Sequence, residues 1–418
     1  MQHLRDAWEA MQDRLFFLPP LPDQVDPFIL FALLVVAGLL VGQLLYRHFG
    51  LSRIVGYVLA GAIAGPGALG WLNTETLALA KPVADTALGL LLLETGRHLD
   101  LRWLRANRGL LPAALTESSL AFAGIFLFSY TIVGLSAGWS AATAAITMAS
   151  APAVVLLTTE ENHAQGQVSQ RTLLLTALNC AFSFVVFSCV LGVLHAEQTE
   201  DIFNALIHPF WVLGGSVLIG LGGARIALGI ARVQQESPVL RVFVLVATAL
   251  LAIGTARMLA VPVFLSLFMM GVALSLLDKD RLLSYTNLPD GHWILAIVLF
   301  VVTGAMLPLQ DLSWSSGLLA LGLLLVRGAA KFAGVLWAGQ RDLPMAKRRL
   351  VGLGIQPLSA TAIFMAAEIV GIYPEVGSQA LLLPLLAAAL MEFIGPQLCR
   401  HALQKAGETV PEPTRSAP

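Results

Sequence analysis

The chain is a succession of apolar runs, each long enough to cross a bilayer, joined by short polar connections. A hydrocarbon core about 30 Å thick needs about 20 apolar residues per helix. About thirteen such runs lie between charged or Pro/Gly-rich loops, at roughly 26–46, 52–70, 82–98, 108–134, 139–159, 171–195, 207–230, 241–259, 262–277, 291–308, 313–339, 347–372 and 376–403. In hydrocarbon every backbone N–H and C=O must be satisfied within its own segment, so runs of this length form helices. Hydrophobic residues make up 57% of the chain and charged residues 12%, a balance that excludes a soluble globular domain and gives nucleic acid no basic surface to bind. The expected fold is an all-α integral membrane protein with the lipid bilayer as its solvent.

The loop charges give an orientation. Lys and Arg crowd the loops after odd-numbered segments: Arg47 and Arg53; Arg97, Arg102, Arg105 and Arg108; Arg232 and Arg241; Arg341, Lys347, Arg348 and Arg349; Arg400 and Lys405. The other side carries Arg5, Arg14, Lys81 and Arg257. The positive-inside rule then places the N-terminus outside and the C-terminus in the cytoplasm of a cell membrane, expected to be a bacterial inner membrane. Residues 1–25 do not read as a signal peptide, because Asp6, Glu9 and Asp13 interrupt them. Leu4, Trp8, Met11 and Leu15 share one helical face, which fits either a helix lying in the membrane interface or a short soluble cap. Cys180, Cys189 and Cys399 have neither CxxC nor His spacing, so no disulfide framework or metal site is expected. No phosphate loop or nucleophile–base pair is present in the sequence, so neither enzymatic activity nor a cofactor is expected.

An internal repeat organises the runs. Leu91, Thr95, Gly96, Leu99, Leu101 and Leu104 in the third segment are matched by Leu299, Thr303, Gly304, Leu307, Leu309 and Leu312 in the tenth. These segments run in opposite senses, as they would if a six-helix unit were repeated with inverted topology and one helix between the copies. The fifth and twelfth segments, which are equivalent in the two units, each carry a proline inside the apolar run, at Pro152 and Pro357. A lone proline kinks a helix; a matched pair suggests two broken helices whose freed backbone faces a midplane cavity. Ser150 and Gln356 lie at these breaks, and Thr147, Ser359 and Thr361 are further oxygen donors around them.

Polar residues in the middle of membrane helices are costly and mark a candidate site. The sixth segment carries Asn179 followed by Cys180, the eleventh carries Arg327 and Lys331 one turn apart, and the fourth carries Glu117. At about 1.5 Å per residue, Asn179, Cys180, Lys331 and Glu117 all fall roughly 12–13 Å from the cytoplasmic helix ends, and Arg327 at about 18 Å. Glu117 is the expected partner of Lys331 or Arg327, either as a structural ion pair or as a carboxylate that couples protons to a cation. A buried thiol stays neutral near pH 7 and most often behaves as a small hydrophobe, unless a nearby cation stabilises its thiolate. Lys331, without an adjacent acid, is an alternative proton carrier. Glu94, Glu368 and Glu392 are expected to pair or to snorkel.

Several stretches together resemble the cation:proton antiporter superfamily, the sodium/proton exchanger and Kef-type membrane domain. They are Ile54-Val55-Gly56-Tyr57-Val58-Leu59-Ala60-Gly61 with Gly65-Pro66, Thr95-Gly96, Ser150-Ala151-Pro152-Ala153-Val154-Val155, Ala177-Leu178-Asn179, Arg327 with Lys331, and Phe393-Ile394-Gly395-Pro396. The resemblance implies a homodimer that exchanges a monovalent cation, Na⁺ or K⁺, for protons by an elevator-like movement. It divides the chain into the N-terminal segment 1–25, scaffold or dimer helices in 26–107, core helices in 108–206, a linker helix with further scaffold helices in 207–312, core helices in 313–403 and a disordered cytoplasmic tail at 404–418. It also implies an aspartate after the residue matching Asn179, where this chain has Cys180. Lys331 matches a lysine that pairs with that aspartate in some members. The missing acid keeps two alternatives open: an anion-selective transporter, or a transport-inactive scaffold acting as a sensor or binding protein.

Overall fold

The computed structural model describes residues 27–409 apart from 73, 100–103, 105, 108, 200–201, 234–237, 280–281, 284–290, 339–342, 359, 375–376 and 378–379. The segment 1–25, Arg102, Arg105, Arg108, Arg341 and Ser359 lie outside the described residues. Each of the apolar runs coincides with helix. In chain order these are α1 (Pro27–Phe49), α2 (Arg53–Ala64), α3 (Thr74–Arg97), α4 (Leu110–Phe128), α5 (Ala137–Thr147), α6 (Pro152–Glu161), α7 (Gln167–Thr199) and α8 (Ile202–Val233). They continue with α9 (Pro238–Met258), α10 (Val263–Leu277), α11 (Gly291–Ala305), α12 (Trp314–Trp337), α13 (Met345–Gly354), α14 (Ala360–Ile372) and α15 (Leu382–Lys405). Among the described residues, ten helical stretches are long and apolar enough to cross a membrane, and α2, α10 and α14 are shorter apolar helices.

The boundaries depart from the sequence expectation where packing extends a helix. α3 begins at Thr74 and carries Pro82 inside it, rather than beginning there. α15 passes residue 404 and ends at Lys405, and Glu408 beyond it accepts hydrogen bonds from Val168 N at 2.9 Å and Ser169 N at 2.8 Å at the start of α7. The first residues of the expected disordered tail are thus tied down by capping a helix.

The fifth and twelfth segments are each split in two. α5 stops at Thr147 and α6 starts at Pro152, with Ala151 extended. Proline has no N–H to lose and its fixed φ suits the first helical position, so Pro152 starts the second half-helix instead of kinking a continuous one. α13 stops at Gly354, and Pro357 lies in the unwound stretch before α14. The two breaks meet: Ala151 N donates to Pro357 O at 2.9 Å, and Ser150 Oγ to Ile355 O at 2.9 Å.

Two sets of helices surround this crossing. α4 packs on α12, and α7 on α4 and α5, while α15 contacts α12 and α13. α2 packs against α1 and α11, and α3 against α10 and α11. The matched Thr-Gly pairs explain themselves in this second set. A Cβ on Gly96 of α3 would strike the backbone of Phe268 in α10, and one on Gly304 of α11 would strike the backbone of Val58 in α2. Glycine is needed at both because the helix backbones touch there. Nearly every residue of 137–161 is buried, whereas Leu40 of α1, Phe210 of α8 and Phe243 of α9 face outward, as lipid-contacting residues do.

Candidate functional site

The crossing breaks free backbone groups that must find partners in a water-poor interior. Their partners are the residues that the sequence placed at mid-membrane. The Thr147, Met148 and Ala149 carbonyls at the end of α5 and the Gln356 carbonyl after α13 have lost their helical donors. Arg327 serves three of these four: Nε donates to Thr147 O at 2.7 Å, Nη2 to Ala149 O at 2.8 Å and Nη1 to Gln356 O at 2.7 Å. Lys331 Nζ donates to Met148 O at 3.0 Å. Two cations therefore sit at the C-terminal ends of two half-helices, where the dipoles and the carbonyl lone pairs both favour positive charge.

On the donor side, Ser150 N donates to Asn179 Oδ1 at 2.6 Å. Asn179 Nδ2 donates to Ser118 Oγ at 2.7 Å, and Ser118 Oγ donates to Glu117 Oε1 at 3.2 Å. The second carboxylate oxygen, Glu117 Oε2, lies 2.8 Å from Lys331 Nζ, and both side chains are 0% exposed. A continuous polar chain thus runs from the unwound backbone at Ser150 through Asn179, Ser118 and Glu117 to Lys331 and back to Met148.

The sequence-derived candidates divide accordingly. Asn179, Lys331, Glu117, Arg327, Ser150 and Gln356 are brought together, with Pro152 and Pro357 making the breaks. Glu117 pairs with Lys331 directly, while Arg327 is taken up by carbonyls. Gln356 holds its own turn through Nε2, which donates to Gly352 O at 2.9 Å and Gly328 O at 3.3 Å. Cys180, 1% exposed, belongs to the main apolar cluster with Ala177 and Phe184, close enough to Lys331 to lie in its field. The Thr147 and Thr361 hydroxyls are buried without a hydrogen-bond partner, so they leave acceptor capacity beside the breaks. Glu94 forms an ion pair with Arg97 at 2.6 Å, Glu392 is buried in α15 and Glu368 is exposed on α14.

Sequence reasoning missed Ser118. It follows Glu117 directly, and a hydroxyl next to a candidate intramembrane acid was the available signal. Gly334 has a local role: a Cβ there would meet Glu117 Cβ at 2.7 Å. This close approach of α12 to α4 is what lets Lys331, one turn earlier, reach Glu117.

Among the described residues no group of three or more His, Cys, Asp or Glu side chains has the arrangement of a metal centre. The site instead offers one carboxylate, two side-chain amides, hydroxyls and backbone carbonyls around a buried ammonium. Hard oxygen donors of this kind suit a partly dehydrated monovalent cation.

The family model for the sodium/hydrogen exchanger transmembrane region matches residues 31–395. The Escherichia coli (strain K12) protein named "Putative cation/proton antiporter YbaL" is 25% identical over 296 residues, a match covering 65% of this chain and 50% of that protein. The chain thus spans about half the length of that curated relative. Two structures of the sodium proton antiporter MjNhaP1 from Methanocaldococcus jannaschii share the fold. The one determined at pH 8 superposes with a TM-score of 0.68 at 18% identity, over 90% of this chain and 95% of that one. The other, from electron microscopy, gives 0.70 at 17% identity, over 91% and 98%.

Proposed function

The chain belongs to the sodium/hydrogen exchanger family, and from that premise we propose that it exchanges a monovalent cation, Na⁺ or K⁺, for protons at the Glu117–Lys331 pair. The observation that carries this reading is a carboxylate at the helix crossing, buried from solvent and 2.8 Å from an ammonium. The acid that the resemblance expects at position 180 is supplied here from α4. Formally the site holds Arg327, Lys331 and Glu117, a net charge of one positive unit. Adding a metal cation would double that charge in an apolar interior, at a cost of several kcal/mol. Releasing one proton from Lys331 as the cation takes its place beside Glu117 keeps the charge unchanged, so one proton leaves for each monovalent cation that enters. The Met148 carbonyl, which now accepts from Lys331, and Ser118 Oγ, which touches Glu117, are oxygens at that position. Arg327 stays bound to the half-helix ends throughout and serves to hold the breaks together. Cys180 forms part of the apolar wall.

The two helix sets support alternating access. We assign α4–α7 and α12–α15 to a moving core, and α1–α3 with α8–α11 to a scaffold that forms a homodimer in the cell membrane, with the N-terminus outside. The repeated glycine contacts, Gly96 against α10 and Gly304 against α2, support inverted repeats. Glu161 of α6 accepts from Ser52 Oγ at 2.7 Å and from Arg53 N at 2.9 Å, so a core carboxylate caps the scaffold helix α2. Movement of the core requires that cap to release.

The test is ion-driven proton flux in proteoliposomes holding the full chain. Imposed Na⁺ or K⁺ gradients are expected to drive proton movement that Glu117→Gln abolishes. Flux with neither ion, from mildly acidic to mildly alkaline pH, refutes cation antiport. Current carried by an anion would point to the anion-selective alternative instead.

A further inference from the structure

Away from the crossing, the positively charged end of the molecule holds two arginines on one aromatic ring. Arg53, at the start of α2, places its guanidinium carbon 4.3 Å from the Tyr46 ring centroid. Arg400, near the end of α15, places its own 5.1 Å from the same centroid. Arg400 also donates to the Gly50 carbonyl between α1 and α2, and its buried Nε has no hydrogen-bond partner. Two like charges on one ring are unfavourable unless an anion lies nearby.

One carboxylate, Glu161, supplies it for Arg53. Glu161 spends one oxygen on Ser52 Oγ and the other on the Arg53 amide, and it stands 4.0 Å from Arg53 Nε. Arg53 Nε itself donates to Gln43 Oε1 at 3.1 Å. The Arg53 amide at the start of α2 is thus already engaged, and among the described residues Arg400 donates to a single carbonyl. A stacked guanidinium presents a planar fork of donors, which matches phosphate oxygens in pairs.

The surroundings indicate what the phosphate is attached to. Below the arginines, toward the membrane interior, Leu39 of α1, Ile63 of α2 and Ile394 of α15 are all exposed large apolar side chains. Counted from the helix ends that carry Tyr46, Arg53 and Arg400, they lie within about 10–17 Å of the interface, the depth of acyl chains in one leaflet. The positive-inside rule makes this the cytoplasmic leaflet, whose surface carries anionic lipid.

We propose that Arg53 and Arg400, stacked on Tyr46, bind the phosphate of an anionic phospholipid whose acyl chains lie against the exposed apolar side chains of α1, α2 and α15. The site joins the consecutive helices α1 and α2 to α15, with Arg400 and Gly50 350 residues apart in the chain. It does not depend on which ion the chain transports, and it bridges the scaffold helices α1 and α2 to the core helix α15.

Native mass spectrometry of the full chain in detergent tests this, with phosphatidylglycerol and phosphatidylcholine of identical acyl chains as probes and inorganic phosphate as a third. Phosphatidylglycerol is expected to be retained preferentially, and Arg400→Gln is expected to weaken its retention by about fivefold, since each basic side chain near an anionic surface contributes on the order of 1 kcal/mol. Phosphatidylcholine retention by the same variant reports whether it is folded. Arg400→Lys, which keeps the charge and loses the fork, is expected to fall between the two. Equal retention of both lipids, or phosphatidylglycerol retention unchanged in a folded Arg400→Gln variant, overturns the proposal. Inorganic phosphate competing as well as the lipid overturns the assignment to a phospholipid.

Discussion

Breaking the Glu117–Lys331 pair from either side is expected to destabilise the protein, and removing both groups to cost less than the two single losses together. In Lys331→Met, Glu117 Oε2 loses its partner at 2.8 Å, Glu117 Oε1 keeps the Ser118 hydroxyl at 3.2 Å, and the Met148 carbonyl loses its donor at 3.0 Å. An uncompensated charge left in a buried pair costs about 3–5 kcal/mol. For a chain of this size that corresponds to a fall in apparent Tm of roughly 3–6 °C. Glu117→Gln leaves Lys331 with the Met148 carbonyl alone and is expected to lose a similar amount. The double variant leaves no buried charge at this point, so its loss is expected to be smaller than the sum of the single losses by about 2 kcal/mol or more. Thermal unfolding of the four proteins in one detergent closes the cycle. Singles that match the parent, or losses that simply add, would show that these groups do not interact as an ion pair and would remove the basis for exchange at this site.

Three further outcomes follow from the same contacts. Cys180→Asp places a carboxylate beside Asn179 and within the field of Lys331, and is expected to raise Na⁺- or K⁺-dependent proton flux in proteoliposomes; unchanged flux would mean that Glu117 already fills the role. Ser118→Ala removes a hydrogen bond to a charged group, worth about 1.5–3 kcal/mol, with part of the loss expected to return in Ser118→Thr; a silent alanine variant in thermal unfolding would deny Ser118 its place in the chain of contacts. Glu161→Ala uncaps α2 at a cost of about 1 kcal/mol, read as faster amide exchange at the first residues of α2, while the amides around Asn179 keep their protection.

Much of the site was legible in the sequence, for a physical reason. Charged and amide side chains are so costly in hydrocarbon that Glu117, Asn179, Arg327 and Lys331 belong inside, and helical rise alone put Glu117, Asn179 and Lys331 at one depth with Arg327 one turn away. The prolines located the breaks because proline cannot continue a helix. Which cation served which acceptor was not legible. Arg327 and Lys331 differ by one turn on one face, and choosing between Glu117 and the carbonyls depends on the close approach of α12 to α4 at Gly334. Ser118 escaped notice because a serine in an apolar helix usually bonds its own backbone, and its bond to Asn179 spans 61 residues.

Length and hydrophobicity of the runs thus determine by themselves that this chain is a bundle of membrane helices, because each segment must satisfy its own backbone in lipid. Tertiary structure alone decides that the unwound stretches at Ser150 and Pro357 cross and bond each other. It also decides that Lys331 meets Glu117, and that Glu408 caps α7. Those contacts join segments far apart in sequence, and helix rotation and packing set them, which no local pattern encodes.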